Sequence, residues 1–168
     1  MHLLQRVSRL TWQFSGMLVL VSQLWRPPVV TAQVPAAIVP SESEKEQSIA
    51  ALPLANAGDA NAQWMVGQGL LSPPDADPAA AFSWLRRAAE QGHPLAQRDL
   101  GLLYEAGWGV TQDLQEAYFW YSLAAMHDSG RAVVRRDELA LGLSREQLDN
   151  TNRRVQSWRP QKAVTNSP

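Results

Sequence analysis

Gly58-Asp59-Ala60-Asn61-Ala62-Gln63 returns as Gly92-His93-Pro94-Leu95-Ala96-Gln97, 34 positions later. The same offset carries Gly67 onto Gly101. Further on, Ala81-Phe82-Ser83-Trp84-Leu85-Arg86-Arg87-Ala88-Ala89 matches Ala117-Tyr118-Phe119-Trp120-Tyr121-Ser122-Leu123-Ala124-Ala125 at an offset of 36, so two residues enter the intervening loop. Asp77 and Asp113 share that offset, each seven residues ahead of its tryptophan. Recurrence of small residues, aromatics and an acid at nearly one period marks an internal repeat, and a period of this length marks stacked supersecondary units.

Each unit reads as a pair of helices. In the second, Ala96, Leu100, Leu103 and Tyr104 recur at helical spacing and make one apolar face. Gly107-Trp108-Gly109-Val110 stops that helix, since glycine past a helix end adopts the left-handed conformation without steric cost. Asp113 then caps the next helix, through Ala117, Trp120, Tyr121, Ala124 and Ala125. In the first unit Asp77 caps, and Pro78 sits at the first helical position, where its missing N–H costs nothing. Ala62, Gly67, Ala88, Ala89 and their counterparts allow close helix approach, with Trp84 and Trp120 as the large core inserts. One helix pair cannot bury its apolar face alone; stacked pairs share a core.

The flanks read as ends. Ser41 with Glu44 forms a capping box for a helix over 42–57, in which Pro53 kinks the helix or restricts its start. Repeat 1 then covers 58–91 and repeat 2 covers 92–129. The stretch 132–141 looks like the first helix of an incomplete third unit. Ser144 with Gln147 opens a last helix that ends before Pro160, so capping helices occupy 130–158 and a flexible tail 159–168.

This pattern resembles the Sel1-like repeat family, a relative of tetratricopeptide repeats. The second unit carries its features as Ala96, Leu100-Gly101, Tyr104, Gly107-Trp108-Gly109-Val110, Asp113, Ala117, Trp120-Tyr121 and Ala124-Ala125. The first carries Ala62, Gly67, Asp77, Ala81, Trp84 and Ala88-Ala89-Glu90-Gln91-Gly92, but has Leu70-Leu71-Ser72-Pro73-Pro74 in place of the glycine turn. The resemblance implies an all-α fold, a short α-solenoid of antiparallel helix pairs with six to seven helices. It implies a surface that holds protein partners, and no shared catalytic constellation. Bacterial members often act as adaptors outside the cytoplasm.

Export is also the reading of residues 1–32. Arg6 and Arg9 precede a short apolar run, Phe14 to Leu24, Pro27-Pro28 breaks the chain after it, and Val30-Thr31-Ala32 offers small residues for cleavage. The run is too short to cross a bilayer comfortably. An uncleaved membrane anchor and a buried N-terminal helix are the alternatives. Residues 33–41 are a Pro-rich linker. The expected location is periplasmic or secreted.

Composition narrows the function. Hydrophobic residues make up 45% and charged residues 18%, enough for a core. Beyond Ala32 stand 12 basic and 16 acidic groups, a net of −4, which gives no electrostatic footprint for nucleic acid. The absence of cysteine removes disulfides, thiolate metal sites and cysteine nucleophiles together. His93 and His127 stand at helix junctions and suit capping. Asp75-Ala76-Asp77 lacks the glycine and distal glutamate of a calcium loop. No serine has a histidine or lysine at a recurring distance. No catalytic residue, metal or cofactor is therefore expected, and a wall-active hydrolase is disfavoured.

Binding candidates come from what does not repeat. Trp64 stands where the second unit has Arg98, and Trp108 lies in the turn between helices. Solenoids bind along the surface lined by each unit's first helix, and exposed aromatics anchor partners. Gln63, Trp64, Gln68, Arg98, Asp99, Leu102 and Trp108 are the contact candidates. The leading expectation is an adaptor for a protein partner of the bacterial envelope. The alternative is a module for cell-wall glycan or polysaccharide, with Trp64 and Trp108 stacking on sugar faces.

Overall fold

Three aspartates open helices by one device. Asp59 accepts from the amide of Ala62 at 2.7 Å, Asp77 from Ala80 at 3.0 Å, and Asp113 from Gln115 and Glu116 at 3.0 Å each. These N–H groups have no partner inside their own helix, so the carboxylates settle where each helix begins. His93 does the same for Ala96 through Nδ1. Ser144 and Gln147 form a reciprocal capping box. Gly107 ends its helix in the left-handed conformation, as the glycine turn required.

The computed structural model describes residues 42–73, 75–127 and 130–162. Its elements are α1 (Glu42–Asn56), α2 (Ala60–Gly69), α3 (Pro78–Glu90), α4 (Pro94–Ala106), α5 (Leu114–Ala124), α6 (Arg131–Ala140) and α7 (Arg145–Ser157). There is no strand among the described residues. Each helix packs on the next as far as α6, while α7 folds back onto α5. The expected export segment 1–32, the linker 33–41 and Ser41 of the expected capping box lie outside the described residues, as do 163–168 of the tail.

Within each pair, a glycine decides how close the helices come. A Cβ on Gly67 would stand 2.6 Å from Leu85 Cγ, and one on Gly101 would stand 3.0 Å from Tyr121 Cδ1. Gly67 and Gly101 are equivalent by the repeat, and so are Leu85 and Tyr121. The bulk of the second helix therefore occupies the space that glycine leaves on the first.

Between pairs, a buried glutamine makes the join. Gln63 Nε2 donates to the Ala55 carbonyl at 3.1 Å, and Gln97 Nε2 to the Ala89 carbonyl at 3.2 Å. These carbonyls lie in the last turn of the preceding helix, beyond the reach of its own i+4 amides, and each also accepts from the turn glycine that follows, Gly58 at 3.1 Å and Gly92 at 2.9 Å. Ala55 stands to Gln63 as Ala89 stands to Gln97, so α1 occupies the place of a second helix in a preceding unit. Pro53 lies inside α1 rather than at its start.

The tryptophans keep corresponding places. Trp120 belongs to the main core with Ala81, Leu85, Ala96 and Leu100 of α3 and α4. Trp84 packs one unit earlier, against Ala51, Ala55, Ala62 and Val66 of α1 and α2. Trp84 remains partly open, under the Arg87 guanidinium at 4.9 Å from its ring.

The C-terminal end departs from the repeat for a visible reason. Ala132 of α6 corresponds to Ala96, but Arg136 and Asp137 stand where Leu100 and Gly101 stood. A bulky charged pair does not admit a close second helix. α7 instead lies against α5, with Tyr118 donating to Asn152 at 3.0 Å and Arg154 pairing with Glu116 at 2.6 Å. Val155 and Trp158 reach the main core, and the Gln161 amide donates to the Glu90 carbonyl at 2.8 Å. Residues 159–162 are thus seated on the α3–α4 junction, where a free tail was expected.

The glycine contacts are testable by urea denaturation. Gly67→Val and Gly101→Val are each expected to destabilise by about 1–3 kcal/mol through overpacking. Tyr121→Ala in the Gly101→Val background should recover part of that loss. Strictly additive losses in the double variant would show that the two residues do not compete for one space.

Candidate functional site

Trp64 and Gln68 lie one turn apart on α2 and face Asp99 of α4. Trp64 Nε1 donates to Asp99 Oδ2 at 2.8 Å, and Gln68 Nε2 donates to the same oxygen. Arg98 supplies Oδ1 from Nε at 2.9 Å and Nη2 at 2.8 Å. Asp99 is 2% exposed, so its charge is held by four donors in place of water. The first helices of the two units are tied together through this one carboxylate.

A second polar cluster continues the face from α4 to α6. Tyr121 donates to Glu105 Oε2 at 3.0 Å, and Arg135 of α6 binds both Glu105 and Glu138. Burial pushes the Tyr121 phenol above its usual range, so it stays a donor. Between the clusters lies a groove of about 630 Å³. Its apolar lining comes from Leu102, Tyr121 and Val134, and its charged lining from Arg98, Arg131 and Arg135 together with the engaged Asp99.

The candidates from the sequence divide accordingly. Arg98, Asp99 and Leu102 are brought together at the groove. Trp64 and Gln68 are half-buried and hold Asp99 from the α2 side. Gln63 is only 2% exposed and spends its amide on the Ala55 carbonyl, so the expectation of a surface contact is corrected. Asp99 is likewise a buried anchor rather than an open contact. Trp108 is corrected as well: it is 9% exposed and sits in the main core. Its turn folds inward because Gly109 lies directly against the Pro78 carbonyl, where a Cβ would collide. Trp64 presents its ring to His93, with centroids 5.4 Å apart and planes 23° from parallel. Neither tryptophan is an open platform for a sugar ring, which removes the support for the glycan alternative.

Arg131, Val134 and Arg135 escaped sequence reading. They sit in α6, where the repeat has faded, and only the fold shows that α6 faces α4. Their signal was the correspondence of Ala132 with Ala96, which places Val134 at the position of Arg98. Among the described residues no group of His, Cys, Asp and Glu is arranged to hold a metal ion.

His93 ties this face to pH. Desolvation holds its imidazole below the usual histidine range, against an opposing pull from Asp99 and Asp59. The cap also needs Nδ1 unprotonated, since it accepts from Ala96 at 3.2 Å, and a cation at a helix N-terminus opposes the dipole. The fold therefore favours the neutral ring. Because the unfolded chain takes up the proton first, stability is full above about pH 6.5 and falls as pH drops below it. Urea midpoints should fall between about pH 7 and pH 5, and His93→Asn, a neutral cap, should flatten that slope. An unchanged slope in the variant would remove His93 as the cause. Separately, Asp99→Ala strands the four donors of three half-buried side chains, Trp64, Gln68 and Arg98, and is expected to cost about 3 kcal/mol; a loss below about 1 kcal/mol would contradict its anchoring role.

Comparison with known proteins supports the repeat reading. The family model for the Sel1 repeat matches residues 60–93 and 94–129. Two curated relatives are fungal proteins, each described as chitin synthase regulator SKT5. The Saccharomyces cerevisiae protein is 42% identical over 57 residues, covering 34% of this chain and 8% of the relative. The Malassezia restricta protein is 38% identical over 78 residues, covering 46% of this chain and 5% of the relative. The crystal structure of c5321, a protective antigen of uropathogenic Escherichia coli strains displaying an SLR fold, superposes with a TM-score of 0.60 at 27% identity. It covers 77% of this chain and 32% of that one. The chain thus spans less than a tenth of the curated relatives' length and about a third of the solved structure's. Its centre is built from two Sel1 repeats, stacked as an all-α solenoid of antiparallel helix pairs.

Proposed function

We propose that this protein is an exported, non-catalytic adaptor that holds a protein partner on the face built by α2, α4 and α6. Sel1 repeats serve in general as protein-binding scaffolds. The observation that carries the reading here is the groove of about 630 Å³ between α4 and α6, with an apolar floor and an arginine rim. Val134 is 55% exposed there, an open apolar contact held on a rigid helix. The name of the fungal relatives describes regulators of another enzyme, which suits a module acting through a partner. Export, and with it an envelope partner, rests on the charged start, short apolar run and Pro27-Pro28 of residues 1–32. Among the described residues no helix is long and apolar enough to cross a membrane.

Two experiments test the parts separately. A photo-crosslinking residue at position 134, introduced in the living host, should trap one defined protein, while the same residue at exposed position 150 on α7 should not. Equal products from both positions, or none from 134, would overturn the binding face. Residues 1–40 fused to a β-lactamase lacking its own leader should confer ampicillin resistance; sensitive cells with intact fusion protein would overturn export.

A further inference from the structure

The second helices α1, α3 and α5 carry one outward stripe at equivalent positions, and on α5 that stripe seats another helix. Its residues are Glu116, Phe119 and Ser122, three apart. Arg154 of α7 pairs with Glu116 at 2.6 Å and lays its guanidinium over the Phe119 ring at 4.4 Å. Ser122 shares a cleft with Asn152 and Val155 of α7. An acid that takes an arginine, with apolar surface beside it, thus makes a seat for a helix. The repeat offsets of 36 and 34 put Ala80, Ser83 and Arg86 of α3 and Glu46, Ile49 and Leu52 of α1 in the same places. On α3 the pattern is lost, and Ser83 and Arg86 face water. On α1 it is kept. Glu46 is exposed, and its neighbour Lys45 is held by Asp75, so no cation answers Glu46 among the described residues. Ile49 is 61% exposed and Leu52 37%, where a solenoid end facing only water needs a polar surface.

We infer that the outward face of α1 seats an amphipathic helix of a partner protein, one with an arginine beside an aliphatic residue, as α7 has Arg154-Val155. The arginine meets Glu46, and the aliphatic side chain covers Ile49 and Leu52. The seat of α7 on α5 supplies the template for this occupant, and charge selects it. An acidic helix would meet Glu46 and the start of α1, where the sequence has Glu42, Glu44 and Glu46 against Lys45. A wholly polar helix would gain nothing from Ile49 and Leu52. A second copy of this chain could offer its α7 only by uncovering its own Phe119, which is 4% exposed. This face is separate from that of α2, α4 and α6, and the inference does not depend on the adaptor reading.

The probe is a synthetic peptide of residues 143–160, the α7 sequence itself, stapled between the exposed positions 146 and 150 to hold it helical. It is titrated into the isotope-labelled full chain and followed by two-dimensional NMR. Amides around Glu46, Ile49 and Leu52 should shift and saturate. Glu46→Arg in the chain should weaken binding at least about tenfold, and Arg154→Glu in the peptide should weaken it as much. The two changes together should restore most of the affinity, because the swapped pair again has opposite charges. Any of four results would overturn the inference: no shifts on α1 at millimolar peptide; shifts on α5 alone, from exchange with the chain's own α7; no recovery in the swapped pair; or α1 shifts that grow with chain concentration before peptide is added, which would place a second copy there. None of these bears on crosslinking from position 134, so the adaptor reading stands or falls on its own experiment.

Discussion

The structure depends on how closely two helices can lie at one point in each repeat. Gly67 gives Leu85 its space and Gly101 gives Tyr121 its space, and those contacts close the hairpins. A closed hairpin still has open apolar faces. They are covered only by the next pair, which is why Ala81, Leu85, Ala96, Leu100 and Trp120 form one core across the unit boundary. The glutamine bonds at Ala55 and Ala89 then fix the register between units, because a buried amide in the wrong place would be left unpaired. Geometry within a pair and geometry between pairs are thus set by different residues, each used twice.

The same arrangement brings function within reach. Stacking puts α2, α4 and α6 side by side, so a single carboxylate, Asp99, gathers donors from α2 and α4, and Glu105 joins α4 to α6 through Arg135. Polar groups that would be costly apart become a rigid frame for a groove. α5 is wrapped by α4, α6 and α7, which explains why its residues from Ala117 to Ala124 are all buried while its sequence shows little one-sidedness. The charged positions Arg136 and Asp137 end the repeat, and α7 with the coil that follows it turns back to cover the core from that side.

Much of this was legible in the residue order. The period places the helices, the aspartate caps mark their starts, and Gly67 and Gly101 announce a close approach. What escaped has physical reasons. Trp108 reads as a surface aromatic because it sits in a turn, but the turn folds inward where Gly109 meets the Pro78 carbonyl, a contact across 31 residues that spacing cannot reveal. Asp99 and Gln63 look like surface polar residues because burial of a polar side chain depends on donors and acceptors brought by other helices. The α6 half of the groove was hidden because the repeat fades there: Val134 and Arg135 stand where Arg98 and Asp99 stood, so position is kept while residue type is not.

Cooperativity between the repeats is the claim on which the rest stands. Native-state hydrogen exchange on the full chain, in low urea, reads it directly. The account predicts that slowly exchanging amides of α2, α3, α4 and α5 share one opening free energy and one urea dependence, and that Leu100→Ala lowers all four together. Amides of α2 and α3 that keep their protection while α4 and α5 lose theirs would show two independent hairpins, and would contradict it.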